Sequence, residues 1–311
     1  MTVLLKQHAE DYLRLRRLLG ATLNNHGWMI SQFLAWLDDA GDESITVDAA
    51  VRWAVLPVDV GGRWRAFGLS VLRGFAGYVH AQNPGLAQII PMGLIPSKVV
   101  HAVPYIYTPD QTVALMTAAL TLSPPLRGLT LQTVIGLMAA TGMRVGETVG
   151  LDLTDVDLTN GRLAVTGKYG KKRLVPILPS TVMALREYLR HSRELVTARD
   201  GAPFFLTFIG TRPLTESVER AFRLVATTLS LVARPGIPAP RLHDFRHTFA
   251  TMTLLDAYRQ GVDVDAQVAV LTTYLGHVSP ASTYWYLSAT PELLTVVSER
   301  VEAATLKEMN P

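Results

Sequence analysis

The sequence predicts a mainly α-helical protein with a small antiparallel β-sheet, divided into two domains. Its 311 residues are 49% hydrophobic, which is enough apolar material for two buried cores. Apolar residues recur at mixed spacings of three and four over most of the chain, as helices require. Helix-breaking residues cluster between residues 83 and 104, which indicates one boundary between domains.

The N-terminal domain, residues 1–83, is predicted to be a small bundle of helices. The apolar periodicity places these helices over residues 9–19, 24–37, 47–55 and 63–80. Residues 84–107 follow as a predicted linker, because this stretch contains Pro84, Pro91, Pro96 and Pro104.

The C-terminal domain, residues 108–311, opens with a helix start at Thr108-Pro109-Asp110. Thr is a good N-cap, Pro suits the first helical position, and Asp favours the positive end of the helix dipole. Short strands are predicted over residues 155–158, 162–166 and 173–178, with turn residues between them. Further helices are predicted over residues 181–190 and 216–231.

Composition excludes some kinds of site and leaves others open. The chain has no cysteine, so it forms no disulfide and no thiolate site, and a reducing cytoplasm is expected. The net charge of +3 permits a nucleic-acid partner without demonstrating one. The most apolar stretch, residues 126–142, contains Gln132 and is followed closely by Arg144, which indicates a buried helix and no membrane span. The N-terminus lacks the apolar core of a signal peptide.

Four separated segments carry polar residues that folding alone does not explain. They are Ala140-Thr-Gly-Met-Arg144-Val-Gly-Glu147, Gly167-Lys168, Arg241-Leu-His243-Asp-Phe-Arg246-His247, and Leu275-Gly-His277 followed by Tyr286. Residues three apart lie on one face of a helix, so Glu147 can orient Arg144, and His243 and Arg246 can reach one phosphate.

Two other interpretations of these segments are weaker. His243 and His247 have the i, i+4 spacing of zinc ligands, but no Glu follows His243 directly, and a neighbouring arginine would repel a divalent cation. The basic tract at residues 167–173 contains Gly and Lys, but it lacks the spacing and the following Ser or Thr of a nucleotide-binding P-loop. Neither a metal nor ATP is expected.

Together the four segments resemble the signature of tyrosine recombinases of the phage-integrase family. In order and spacing the match covers nearly the whole second domain. The N-terminal bundle resembles the family's core-binding domain only in its position and helical character. The resemblance implies an enzyme that cleaves and rejoins double-stranded DNA through a 3′-phosphotyrosyl bond, without metal, ATP or another cofactor.

The resemblance also implies a role for each residue of the candidate site. Arg144 and Arg246 would bind the phosphate oxygens, with Glu147 in support. His243 would be the base or proton relay, Lys168 the acid for the leaving 5′ oxygen, and His277 a hydrogen-bond donor to phosphate. His247 would be structural.

The nucleophile must be chosen from two neighbouring tyrosines. Tyr284 and Tyr286 lie roughly 200° apart around a helix, so only one can face the phosphate. The resemblance selects Tyr286, from its spacing after His277. Many relatives have a His two residues after the nucleophile, whereas this chain has Ser288.

Partners are implied in the same way. They are double-stranded DNA recombination sites and further copies of the same chain, with four copies forming a homo-tetramer on the DNA. When bound to DNA, the protein would be associated with the nucleoid. Residues 291–307 are expected to be a helix that docks onto a neighbouring subunit, with packing within its own subunit as the alternative. The cations expected to contact the DNA backbone, or else to be merely solvated, are Arg14, Arg17, Arg63, Arg65, Arg73, Lys171 and Lys172.

Two other functions remain open at this point. One is a type IB topoisomerase, which relaxes DNA with a similar pocket but does not exchange partners. The other is a noncatalytic DNA-binding accessory protein on the same fold. Neither the target DNA sequence nor the biological pathway follows from the sequence, because groove contacts depend on which helix faces lie on DNA.

Overall fold

The computed structural model describes residues 2–21, 23, 25–57, 60–96, 104–167, 170–199, 201–233 and 238–276. The chain divides into two compact units, Met1–His101 and Ala102–Pro311. Within the described ranges, no helix is long and apolar enough to cross a membrane.

The described part of the first unit is helical. Its helices are α1 (Thr2–Leu18), α2 (His26–Asp39), α3 (Val47–Val55) and α4 (Gly62–Gln82). Their apolar faces meet in one core, in which Ile30, Phe33 and Phe75 are fully buried. The N-terminus of α3 is fixed by Thr46, whose hydroxyl accepts a hydrogen bond from the backbone N–H of Ala49.

Much of the segment predicted as a linker packs against one of the two units. Leu86, Ala87 and Ile90 are buried in the core of the first unit, and Ala87 forms a β-bridge with Ile45. Tyr105 is buried in the core of the second unit. The prolines of this segment prevent regular secondary structure, but they do not prevent burial of the apolar residues between them.

The second unit contains seven α-helices, one short 3-10 helix (Leu153–Asp155) and three strands in its described part. The helices are α5 (Pro109–Ala119), α6 (Pro125–Thr141), α7 (Val145–Val149), α8 (Pro179–Leu195), α9 (Thr215–Thr228), α10 (Asp244–Gln260) and α11 (Val264–Leu275). The strands are β1 (Val156–Asp157), β2 (Arg162–Thr166) and β3 (Lys172–Pro176). A mainly helical fold with a small antiparallel sheet is confirmed.

Helix α5 begins where the sequence predicts. Thr108 accepts a hydrogen bond from the backbone N–H of Gln111, and the Gln111 side chain accepts one from the backbone N–H of Thr108. This capping box, with Pro109 at the first helical position, satisfies donors that a helix start leaves without partners.

The sheet is a meander in the order β1-β2-β3, with antiparallel pairing throughout. Leu163 pairs with Val175, and Val165 pairs with Arg173. Because side chains alternate between faces, these four residues lie on one face of the sheet, where Leu163, Val165 and Val175 are buried.

The start of the second unit is attached to α10. The ring of Tyr107 stacks on that of Phe245, with centroids 4.1 Å apart. Its hydroxyl donates to the backbone oxygen of Arg241 at 2.9 Å, and its backbone N–H donates to the hydroxyl of Thr248 at 3.0 Å. The residues before α5 are therefore part of the scaffold that holds α10.

Gly142 ends helix α6 and sets the direction of the chain towards Arg144. Its φ of 61° is in the left-handed region, which favours glycine. A Cβ at this position would lie 2.6 Å from the Phe249 ring, which is too close for ordinary contact. Both the backbone conformation and the packing therefore require glycine here.

We expect Gly142→Ala to destabilise the protein by about 2–4 kcal/mol, from left-handed backbone strain together with overpacking against Phe249. Gly201→Ala is the matched control, because Gly201 has a φ of 63° but no atom near a Cβ. That change is expected to cost only about 1–2 kcal/mol from the backbone strain. Urea unfolding followed by circular dichroism measures both, and equal losses would show that the Phe249 contact is unimportant.

Candidate active site

Arg144 stands at the start of the short helix α7. Its backbone N–H donates to Oε2 of Glu147 at 3.0 Å, and its Nη1 donates to Oε1 at 2.8 Å. The Arg144 side chain is 28% exposed, whereas that of Glu147 is 7% exposed. Glu147 thus holds a partly accessible guanidinium in one orientation, as the i, i+3 spacing predicts.

Glu147 has a second cationic partner, Arg173 on strand β3. Nη2 of Arg173 donates to Oε2 at 2.8 Å, and Nη1 donates to Oε1 at 3.1 Å, a forked arrangement that suits guanidinium and carboxylate. Burial by itself raises the pKa of Glu147, but hydrogen bonds and charges from Arg173 and Arg144 outweigh it and lower the pKa to about 2. Glu147 is therefore ionised across the physiological pH range.

Arg173 is absent from the site predicted from the sequence, which treats it only as the start of a strand. The alternation of the strand could have identified Arg173 as an inward-facing residue. It is two positions from Val175, so both side chains lie on the inward face of β3. An arginine on the buried face of a strand needs an acidic or carbonyl partner inside the protein. That partner is Glu147.

Arg246 lies on the first turn of α10 and is only 1% exposed. Nη1 donates to the backbone oxygen of Gly142 at 2.9 Å, and Nη2 donates to that of Leu275 at 2.7 Å. Arg246 therefore joins the end of α6 to the end of α11, and it lies deeper than Arg144. Contact of Arg246 with phosphate remains a prediction.

His243 directly precedes α10 and is accessible to solvent. Its ring lines a cavity of about 250 Å³ together with Arg223, Arg241 and Glu219. The surrounding protein removes part of the hydration of the ring and lowers the pKa of His243, and the charge of Arg246 lowers it further. A neutral imidazole at neutral pH can accept a proton, as a general base must.

The residue next to His243 holds the loop before α10. Asp244 is fully buried, and its carboxylate accepts hydrogen bonds from the Arg241 backbone N–H and guanidinium, both at 2.8 Å. The rings of His243 and His247 lie edge to face with centroids 5.0 Å apart. Within the described ranges, no group of three or more His, Asp or Glu side chains is arranged to hold a metal.

Three of the predicted site residues, Lys168, His277 and Tyr286, lie outside the described residues. The same is true of Tyr284 and of the expected C-terminal helix at residues 291–307. Lys171 and Lys172 are described, and both are exposed on the hairpin that joins β2 to β3.

The arginines predicted to contact DNA differ in how they are engaged. Arg14, Arg17 and Arg63 are exposed, and Arg14 forms an ion pair with Asp11 at 2.6 Å. The other two arginines, Arg65 and Arg73, donate to backbone carbonyls within the first unit. Arg65 donates to Pro57 at 2.8 Å, and Arg73 donates to Ile90 at 3.1 Å and to Pro91 at 3.0 Å. The last two therefore support the loops beside α4.

Comparison with known proteins identifies the class. The sequence model of the phage integrase family matches residues 106–292. The protein y4rB of Sinorhizobium fredii, named as an integrase/recombinase, is 35% identical over 304 residues and covers 96% of each chain. Tyrosine recombinase XerD of Xanthomonas axonopodis pv. citri is 33% identical, over 85% of this chain and 86% of its own.

A solved structure shows the same fold. It is the XerH site-specific recombinase bound to palindromic difH substrate in a post-cleavage complex, with a TM-score of 0.67. Sequence identity is 18%, and the match covers 98% of this chain and 85% of that one. The fold is that of tyrosine recombinases. The chain belongs to the phage integrase family.

We expect Glu147→Gln to flatten the acid dependence of folding stability. The pKa of Glu147 is lowered from 4.5 to about 2 in the folded protein, so its ionised form stabilises the fold above pH 4.5, and this contribution is lost as the pH falls towards 2. The contribution is about 3 kcal/mol by linkage. The free energy of unfolding, measured between pH 5 and pH 2, should fall by about that much more in the unaltered protein than in the variant. Parallel curves would contradict the assignment.

Proposed function

We propose that this protein is a site-specific DNA recombinase that cleaves and rejoins DNA through a 3′-phosphotyrosyl intermediate. The observation that carries the proposal is the hydrogen bond at 2.9 Å from Nη1 of Arg246 to the backbone oxygen of Gly142. It brings the segment of His243 and Arg246 against the segment of Arg144, so that a candidate general base lies near two guanidinium groups. This is the set of groups that metal-free phosphodiester cleavage requires.

The arginines supply the electrostatic part of the reaction. The pentavalent transition state carries extra negative charge on its nonbridging oxygens, and guanidinium groups can donate forked hydrogen bonds to those oxygens. Arg144 is held by Glu147 and is partly accessible, so it is ready to receive a phosphate without a large change in orientation. We assign Arg246 to the same phosphate, with His277 as an additional donor.

The bond changes are balanced by two proton transfers. The phenolic oxygen of Tyr286 attacks phosphorus and gives its proton to His243, while the bond from phosphorus to the 5′ oxygen breaks. Lys168 donates a proton to the departing oxygen. Rejoining is the reverse, with a 5′ hydroxyl attacking the phosphotyrosyl bond, so the energy of the phosphodiester is retained in the protein–DNA bond and no ATP is needed.

Family membership and the named relatives favour recombination over both alternatives. The relatives reported above are named as recombinases or integrases, and none as a topoisomerase. A noncatalytic binding module needs phosphate contacts but neither a general base nor a nucleophile. The neutral His243 beside the arginines is not needed by such a module.

The partners we propose are double-stranded recombination sites and a homo-tetramer assembled on them, in the cytoplasm with the nucleoid. The integrase name of y4rB supports a role in the movement of a mobile element. Residues 291–307 would carry the contact between subunits, because Leu293, Leu294, Val297 and Val301 form an apolar stripe at helical spacing.

The first experiment asks whether Tyr286 is the nucleophile. Tyr286→Phe removes the phenolic oxygen but keeps most of the ring, so DNA binding should survive and the covalent adduct should vanish. A suicide substrate with a nick beside the cleavage site traps the adduct, which is resolved on a denaturing gel.

Tyr284→Phe is the matched control and should retain cleavage, including in the presence of a chelator. An adduct formed by Tyr286→Phe but not by Tyr284→Phe would overturn the choice of nucleophile. Binding without an adduct in the unaltered protein would overturn the enzymatic proposal. Relaxation of supercoiled DNA without exchange of partners would instead identify a topoisomerase.

The second experiment concerns the DNA contacts of the first unit. Arg17 and Arg63 are exposed, so we expect each change to Ala to weaken binding and to reduce the slope of log K against log salt by about one. Arg73→Ala is the control, since its guanidinium holds the Ile90 and Pro91 carbonyls, and it should alter stability with little change in slope. Binding measured by fluorescence anisotropy across a salt series distinguishes the two. Unchanged slopes for Arg17→Ala and Arg63→Ala would show that these cations are merely solvated.

A further inference from the structure

Strand β3 places one side chain between the phosphate-binding part of the site and the end of α11. The Arg173 side chain is 15% exposed and donates to both oxygens of Glu147. Its Nε donates at 2.9 Å to the backbone oxygen of Tyr274, in the last turn of α11. A single guanidinium therefore joins a strand, a helix start and a helix end.

The end of α11 is fixed by two arginines. Arg173 binds the carbonyl of Tyr274, and Arg246 binds that of Leu275. The last carbonyls of a helix have no partner within it and carry partial negative charge, so cationic donors stabilise this end. Gly276 follows in the left-handed region, with φ 66°.

The packing around Gly276 shows how closely Arg173 approaches the chain there. A Cβ on Gly276 would lie 3.1 Å from Nη1 and 3.4 Å from Cζ of Arg173. The guanidinium thus lies against the last described residue before the segment that contains His277 and Tyr286. Gly167, just after β2, lies in ordinary contact with the same group, with Nη1 3.6 Å from the position of its Cβ.

The contacts form one continuous path. Arg144 bonds to Glu147 at 2.8 Å, Glu147 bonds to Arg173 at 2.8 Å, and Arg173 bonds to Tyr274 at 2.9 Å. At one end is the arginine assigned to the phosphate, and at the other is the backbone that leads into the nucleophile segment. Because Glu147 is shared, loss of Arg173 removes one of the two cations that hold it and also one of the two arginines that fix the end of α11.

We propose that Arg173 is a positioning residue for DNA cleavage. It holds Arg144 through Glu147 and fixes the end of α11 through the Tyr274 carbonyl, which would align the phosphate-binding residue with the chain that leads to Tyr286. This inference rests on the roles proposed above for Arg144 and Tyr286. It predicts a defect in the chemical step and no defect in DNA binding.

The experiment measures single-turnover adduct formation on the nicked suicide substrate at saturating protein. Arg173→Ala should form adduct at least tenfold more slowly than the unaltered protein, with unchanged DNA affinity. Arg162→Ala is the matched control, because Arg162 lies exposed on the neighbouring strand β2 and pairs with Asp157. It should stay within twofold of the unaltered rate.

A second variant and a second measurement separate positioning from general support of the fold. Arg173→Lys keeps the charge, but one ammonium cannot match the forked geometry at Glu147 while also reaching Tyr274, so it should remain severalfold slow. In Arg173→Ala, amide hydrogen exchange should increase mainly in the peptide that follows Leu275. An increase spread evenly over the second unit would indicate a structural role only and would overturn the proposal.

Failure of this inference can be distinguished from failure of the proposed function. If Tyr286→Phe abolishes the adduct while Arg173→Ala reacts within twofold of Arg162→Ala, the recombinase mechanism stands and the positioning role is wrong. If Tyr286→Phe still forms the adduct, the choice of nucleophile is wrong, and with it the link from Arg173 to the reacting oxygen. Full activity of Arg173→Lys would show that charge alone is needed and would also overturn the proposal.

Discussion

The second unit depends on one buried guanidinium, that of Arg246. Burying a cation costs several kcal/mol unless its donors find partners, and hydrogen bonds that involve a charged group contribute about 1.5–3 kcal/mol each. Arg246 finds partners in the carbonyls of Gly142 and Leu275, at the ends of two helices. Because Arg144 follows Gly142 by two residues, the position of Arg144 depends on this one side chain, as does the end of α11.

The residues that the sequence could identify are those with local partners. Arg144 and Glu147 are three apart, as are His243 and Arg246, so helix geometry alone places each pair on one face. The capping box at Thr108 and the three strands were predictable for the same reason, since turn residues and alternation are local signals. The structure keeps the Arg144–Glu147 pair, the capping box and the three strands. The shared approach of His243 and Arg246 to one phosphate stays a prediction.

The remaining features depend on contacts between distant parts of the chain. The bond from Arg173 to Tyr274 spans a hundred positions, and no periodicity reports it. Likewise, Arg65 and Arg73 lie on a helix in a pattern typical of solvated or DNA-binding cations, yet their partners are carbonyls in neighbouring loops. The prolines in residues 84–107 indicate a linker. No sequence pattern shows that Leu86 is buried in the core of the first unit and Tyr105 in the core of the second.

The stack of Tyr107 on Phe245 has a mechanical consequence. The chain enters the second unit through a segment in which Tyr107 is bonded to α10, the helix that carries Arg246, and to Arg241 just before it. A displacement of the backbone at Tyr107 therefore acts on α10 through one ring stack and two hydrogen bonds. Mechanical load at Tyr107 and the position of Arg246 are linked in this way.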